Sequence, residues 1–226
     1  MEQIGSRSWL KAGFVVAAGL VLLVAAILFI RKPALEIDLP GVRSLSPPVR
    51  IPPFSLIDQR GKIFNNDGLT GNWTLAMVGY TFCPDICPTT LSDMAAFFKR
   101  LKGTPGDIKE PRFVFFSVDP FRDTPERLEK YLLYFHPDFI GVTGDPGTIK
   151  KMTTGLGLHY IFANPDDNNF IEDVLQKPAM DDYLVVHSTG LLFITPQGEL
   201  VATMTPPFES KNVVALFQKL RTYYGE

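Results

Sequence analysis

The chain has few side chains that bind soft metals, because only two cysteines and three histidines occur among its 226 residues. Structural zinc takes four ligands, so the cysteines alone cannot form such a site. An excess of one charge is also missing, since 22 Lys and Arg stand against 24 Asp and Glu for a net charge of -2. This balance argues against a nucleic-acid partner. The length suits one sizeable core.

The longest apolar run is the uncharged segment from Ala12 to Ile30, whose 19 residues are about the length that crosses a bilayer as a helix. It predicts one transmembrane anchor, residues 12–30, after a short tail, residues 1–11. A cleavable signal peptide is the alternative, but its apolar region would be shorter, and the basic pair Arg31-Lys32 follows instead of a cleavage site. Since the tail has no room for a mitochondrial transit peptide, we expect a single-pass protein of a bacterial inner membrane.

The rest of the chain is predicted as a proline-rich tether, residues 31–53, and one domain, residues 54–226. In that domain the apolar run Trp73 to Tyr80 indicates a buried strand. Further strands alternate with helical patterns, and a hairpin and a helix close the chain. This order predicts an α/β fold with a central mixed sheet flanked by helices.

The two cysteines, Cys83 and Cys87, come directly after the predicted buried strand. A thiol pair at the end of a strand can bind a soft metal or cycle between dithiol and disulfide. Pro84 and Pro88 each follow one of the cysteines, and a proline disfavours the helical conformation for the residue before it. We therefore expect a helix that begins at Pro88 with Cys87 as its N-cap, where the helix dipole favours thiolates.

Two thiolates are soft donors that suit Cu(I), and a histidine would have to supply a third ligand. His187 is the best placed, because it ends a predicted strand. Strand ends on the same side of a sheet as the cysteine loop can converge with that loop. A histidine that merely satisfies its own hydrogen bonds at a strand end is the alternative interpretation. His136 and His159 are predicted to be structural or exposed.

The segment that begins at Asp119 follows another predicted strand, and loops at the carboxyl ends of strands build the site in open α/β sheets. An inward-pointing Arg122 would stabilise the thiolates. The pair Thr124-Pro125 is also typical of a plain helix start. Contacts with the ligand side chains are predicted for four residues: Asp85, Asp119, Arg122 and Asp123.

An acidic insertion, residues 164–182, holds six acids against one lysine. Such a segment is typical of a solvated, mobile loop. A docking surface, or a flap that delivers His187, is the alternative.

Three ordered motifs resemble the SCO/SenC family. They are Cys83-Pro84-Asp85-Ile86-Cys87-Pro88, then Val118-Asp119-Pro120 with Arg122-Asp123-Thr124, and finally Asp182-Tyr183-Leu184 leading to His187-Ser188. The resemblance runs from about Phe54 to the C-terminus and includes the single N-terminal anchor. It implies a thioredoxin-like fold and copper held by both motif cysteines and the histidine, as Cu(I) with Cu(II) as a second form.

The same resemblance implies a membrane-tethered copper chaperone whose domain lies in the periplasm, or otherwise outside the cytoplasm. Members of the family help to assemble the binuclear copper site of cytochrome c oxidase subunit II, by handing over copper or by reducing its cysteines. The implied partners are subunit II or another cuproprotein, and another periplasmic copper chaperone. One departure is Val186, where many relatives carry an acid, and this change is expected to alter metal affinity without removing the ligand.

Chemistry without a metal stays open. In a thiol-disulfide oxidoreductase, either Cys83 or Cys87 would attack a substrate disulfide and the other would resolve the intermediate. Their three-residue spacer differs from the two-residue spacer of thioredoxin-type motifs. A thiol peroxidase is disfavoured because Tyr80 stands where peroxiredoxins carry a threonine, and a structural disulfide in so local a loop would stabilise little.

Overall fold

The computed structural model describes residues 17, 19–20, 35–105, 108–166 and 169–225. The chain divides into two units, residues 1–36 and 37–226. In the first, Ala17, Gly19 and Leu20 are helical, and the predicted anchor, residues 12–30, otherwise lies outside the described residues. No helix within the described part of the chain is both long and apolar enough to cross a membrane.

An eight-stranded mixed sheet forms the centre of the second unit. From one edge to the other its strands are β1 (Val42–Arg50), β11 (Glu199–Met204), β10 (Leu191–Ile194), β4 (Thr74–Gly79), β5 (Arg112–Ser117), β6 (Ile140–Thr143), β2 (Ser55–Asp58) and β3 (Ile63–Asn65). The pairs β4–β5 and β5–β6 are parallel, and the remaining pairs are antiparallel. Every residue of β4 is buried, as expected for a strand with both faces covered.

Four helices and one 3₁₀ turn (Asn66–Leu69) flank this sheet. The helices are α1 (Ile86–Lys102), α2 (Pro125–Leu133), α3 (Pro146–Gly155) and α4 (Ser210–Tyr224). Right-handed crossovers between adjacent parallel strands place α1 and α2 on the same face. α1 also packs against α4, where the rings of Phe97 and Phe217 meet edge to face. The predicted mixed sheet flanked by helices is therefore present.

A separate three-stranded sheet lies in the order β8 (Phe170–Ile171), β7 (Tyr160–Ala163) and β9 (Leu184–His187). The acidic insertion connects β7 to β9 and contributes β8, so part of it is a strand rather than a mobile loop. One face of this sheet is buried and includes the side chains of Phe162 and Val185. Val186, on the other face, is 50% exposed. His187, the candidate third ligand, is the last residue of β9.

The predicted boundary between tether and domain is wrong. Val42–Arg50, assigned by its prolines to an extended tether over residues 31–53, is instead the edge strand β1 paired with β11. Proline cannot donate to a strand ladder, but an edge strand needs partners on one side only. The register of β1 is interrupted between Ser44 and Val49, and Pro47 and Pro48 lie within this irregularity. The folded part of the chain therefore begins before the predicted residue 54.

Gln59 joins the turn between β2 and β3 to the start of β6. Its side chain is buried, with Nε2 donating to the Phe139 carbonyl at 2.9 Å and Oε1 accepting from the Gly141 N–H at 2.9 Å. Replacement by methionine keeps the volume but leaves both backbone groups unpaired. Because unpaired buried groups cost more than the net value of a hydrogen bond, we expect Gln59→Met to lower the free energy of unfolding by about 1–3 kcal/mol.

Urea unfolding followed by circular dichroism measures this difference. Lys62→Met, on the exposed side of the same hairpin, is the matched control and should leave the free energy of unfolding almost unchanged. Equal stability of the two variants would contradict the role given to Gln59.

Candidate metal centre

Three predicted ligands converge beyond the carboxyl end of β4, a central strand of the main sheet. Cys83 lies in the loop after β4, Cys87 in the first turn of α1, and His187 at the end of β9. One ligand atom from each lies within 4.8 Å of the other two. The Cys87 Sγ lies 3.5 Å from the His187 Nε2. Cys87 is fully buried and Cys83 is half-buried, and neither forms a disulfide.

α1 begins at Ile86, two residues before the predicted start, and its N-cap is Asp85 rather than Cys87. Pro88 is tolerated in the first turn because the N–H groups there have no intrahelical partner. The carbonyl with which its ring would clash belongs to residue 84, which lies outside the helix. Cys87 is consequently helical, and its backbone N–H points at the Cys83 Sγ at 3.5 Å.

The two thiols have opposite tendencies to ionise. A hydrogen bond from the Cys87 thiol, with smaller contributions from two backbone N–H groups, lowers the pKa of Cys83 to about 4 despite its burial. The same hydrogen bond, together with burial, raises the pKa of Cys87. At neutral pH the pair therefore holds one thiolate, on the more exposed sulfur, and one thiol.

The His187 ring is held so that Nε2 faces the sulfurs. Nδ1 lies 3.0 Å from the carbonyl oxygen of Ser188, which can only accept, so Nδ1 is the donor of this bond. The ring also meets Tyr80 edge to face, with centroids 5.9 Å apart. Tyr80 also forms a hydrogen bond with the backbone of Val185, in the middle of β9. Tyr80, which precedes the cysteine loop, thus contacts both His187 and β9, the strand that carries it.

Gly79, the last residue of β4, leaves the space that the Cys87 sulfur occupies. A Cβ at this position would lie 2.8 Å from the Cys87 Sγ and 2.7 Å from the Phe115 ring, closer than real contacts allow. The sequence places Gly79 inside a buried strand but contains no signal that a sulfur packs against it.

Asp123 fixes the backbone just before the cysteines. Its carboxylate, which is fully buried, accepts from the Thr81 N–H at 3.0 Å, from the Thr81 hydroxyl at 2.6 Å and from the Ser117 hydroxyl at 2.6 Å. Burial raises the pKa of Asp123 to about 6. The predicted contact of Asp123 with the site is therefore indirect, through Thr81, which lies two residues before Cys83.

Asp119 and Arg122 form a buried ion pair, with 2.6 Å between Arg122 Nε and Asp119 Oδ2. The guanidinium carbon lies 3.5 Å from the Tyr183 ring centroid and 4.5 Å from that of Phe82. Arg122 thus points inward, but its strongest partner is a carboxylate. Stabilisation of the thiolates by Arg122 stays a prediction.

Asp85, the N-cap of α1, has an exposed side chain. It contacts the site through its backbone N–H, which forms a hydrogen bond with Cys83.

The other two histidines do not join the cluster. His136 stacks on Phe139, with ring centroids 5.0 Å apart, and His159 is exposed beside β7. Their predicted structural and surface positions are confirmed. Tyr183 belongs to one of the family motifs, but the sequence did not indicate that its hydroxyl donates to Asp119 Oδ1, which it does at 2.6 Å. Only the folded chain brings the two residues together.

Comparison with known proteins adds a family to this geometry. The family model described as SCO1/SenC matches residues 44–224. A SCO2-like protein of Rickettsia prowazekii is 36% identical over 166 residues, which cover 74% of this chain and 74% of that protein.

Two solved structures are similar to the structure of this chain. Arabidopsis thaliana ScoI with copper bound is 32% identical, with a TM-score of 0.65, and the match covers 76% of this chain and 98% of that one. Yeast Sco1 with copper bound is 29% identical, with a TM-score of 0.64 and coverages of 76% and 88%. Because the family model matches the domain from β1 to α4, well over half of the chain, the protein belongs to the SCO1/SenC family.

Proposed function

We propose that this protein is a copper metallochaperone, anchored in a bacterial inner membrane with its domain in the periplasm, that serves the binuclear copper site of cytochrome c oxidase subunit II. The observation that carries the proposal is the convergence of Cys83, Cys87 and His187 with Nε2 turned toward the sulfurs. The anchor rests on the apolar run over residues 12–30. The choice of subunit II, rather than another cuproprotein, rests on the family resemblance.

The donor set suits copper in its reduced form. Thiolate sulfur and imidazole nitrogen are ligands that Cu(I) prefers, whereas carboxylates, which suit harder cations, are absent from the described cluster. Cys83 is already a thiolate at neutral pH. Cys87 has to lose its proton when a metal binds, so copper affinity should rise with pH.

Three protein donors leave room for a ligand from a partner. Because Cys83 is half-buried rather than enclosed, an incoming thiolate can reach the metal from that side. Copper would then pass by exchange of one ligand at a time. A closed cage of four protein ligands would resist such exchange. The relatives named above for their bound copper support copper as the cargo.

A thiol-disulfide oxidoreductase is the second candidate, and the unequal thiols favour it. The Cys83 thiolate would attack a substrate disulfide and release one substrate thiolate, and Cys87 would then displace the second sulfur and close the Cys83–Cys87 disulfide. The substrate would gain two electrons and the dithiol would lose two. His187 has no necessary part in this reaction.

His187→Ala separates the two candidates. In anaerobic titration of the reduced full-length protein in detergent against a competing Cu(I) chelator, we expect one-to-one binding by the unaltered protein. Loss of a direct ligand should weaken binding by more than the roughly 10- to 100-fold that loss of a supporting partner costs. His159→Ala, an exposed histidine, is the matched control and should bind like the unaltered protein. Equal affinity of all three proteins would favour the oxidoreductase.

Alkylation with iodoacetamide tests the unequal thiols. Because only the thiolate reacts, Cys83 should be alkylated with a midpoint near pH 4, where Cys87 stays unreactive. In Cys87→Ala the main hydrogen bond to Cys83 is lost, so the midpoint should move upward, and Cys87→Ser, which keeps a donor, should move it less. The rate at each pH is followed by peptide mass spectrometry. A midpoint near the ordinary cysteine value in the unaltered protein would contradict this assignment.

A further inference from the structure

The two sheets that carry the metal ligands are not paired with each other. Among the described residues, β4 and its neighbours form one hydrogen-bonded sheet, while β8, β7 and β9 form another. The cysteines follow a strand of the first sheet and His187 ends a strand of the second. Residues 188–190 join His187 to β10 of the main sheet, and this short connection fixes the C-terminal end of β9. The N-terminal end of β9 has no such connection, so side-chain contacts between the two sheets are needed to hold it.

The Asp119 carboxylate provides one such contact. It is fully buried and has a different partner on each oxygen: Oδ1 accepts from the Tyr183 hydroxyl at 2.6 Å, and Oδ2 accepts from Arg122 Nε at 2.6 Å. Asp119 follows β5 of the main sheet. Tyr183, which is 1% exposed, directly precedes β9 of the small sheet. One carboxylate thus ties the two sheets together.

Arg122 extends the connection to the cysteine loop. Its side chain is 10% exposed and lies over the rings of Tyr183 and Phe82, and Nη1 donates to the Asp181 carbonyl at 3.3 Å. Phe82 is the residue before Cys83. The guanidinium therefore contacts both the residue next to one ligand and the start of the strand that carries another.

β9 is able to transmit the position of Tyr183 to His187. All four of its residues pair with β7, from Leu184 opposite Ala163 to His187 opposite Tyr160. At about 3.3 Å per residue, His187 lies roughly 13 Å along the chain from Tyr183. A paired strand tends to move as a unit, so a displacement at Tyr183 would also displace the His187 imidazole relative to the sulfurs.

We infer that Asp119, Arg122 and Tyr183, here called the Asp119 clamp, position His187 over the two cysteines and so decide whether copper has three protein ligands or two. This inference rests on the proposed copper function. The clamp residues are positioning residues, since the metal ligands are Cys83, Cys87 and His187. Release of the clamp would leave a two-thiolate site that holds copper less tightly.

Tyr183→Phe tests the clamp, because it removes one hydroxyl and keeps the ring on which Arg122 stacks. Tyr160→Phe is the matched control: Tyr160 lies in the same small sheet, opposite His187, and its buried hydroxyl has no hydrogen-bond partner among the described residues. Arg122→Lys is a second variant, which keeps the charge beside Asp119 but loses the planar group. Cu(I) affinity and the copper X-ray absorption spectrum are measured on the reduced full-length protein in detergent.

We expect Tyr183→Phe to weaken Cu(I) binding roughly 10- to 100-fold and to reduce the imidazole contribution to the absorption spectrum. Arg122→Lys should act in the same direction, and Tyr160→Phe should match the unaltered protein. In a His187→Ala background the effect of Tyr183→Phe on affinity should disappear, because the clamp acts through His187.

The outcomes keep the two proposals apart. If the unaltered protein fails to bind Cu(I), or binds it equally well without His187, the proposed function fails. If binding needs His187 but neither Tyr183→Phe nor Arg122→Lys changes affinity or spectrum, the clamp is overturned. The clamp is also overturned if Tyr183→Phe costs the same factor with and without His187, since the tyrosine would then act on general stability alone.

Discussion

The burial of the Asp119 carboxylate is the constraint on which the arrangement of the metal centre depends. A carboxylate removed from water is stable only when hydrogen bonds replace its hydration. Asp119 obtains them from Arg122 in its own loop and from Tyr183 in a distant segment. To satisfy this one group, the chain has to bring the loop after β5 to the start of the strand that ends in His187.

Some of this arrangement is readable from the sequence. An apolar run followed by Cys83 and Cys87 predicts thiols at the end of a buried strand. Because strand ends on one side of a sheet can converge, His187, at the end of another predicted strand, is expected beside them. The partners of Asp119 and Asp123 were not predictable, because Tyr183 and Thr81 meet them through tertiary folding, which leaves no periodic pattern.

Local rules failed where two physical effects compete. The proline content of residues 42–50 predicts a spacer, yet an edge strand tolerates proline because its outer side needs no donor. Pro88 predicts a helix start at its own position, but the first turn of a helix accepts proline at several positions, so α1 begins at Ile86. In both cases composition indicated the conformational preference of one residue, and the surrounding hydrogen bonds decided the outcome.

The unequal exposure of the two sulfurs has a consequence for the order of events at the centre. Cys87 is 0% exposed and lies against Gly79, whereas Cys83 is open on one side. The centre therefore has a front and a back. An incoming ligand from solvent would meet the front sulfur before the buried one, which gives any exchange at this centre a direction.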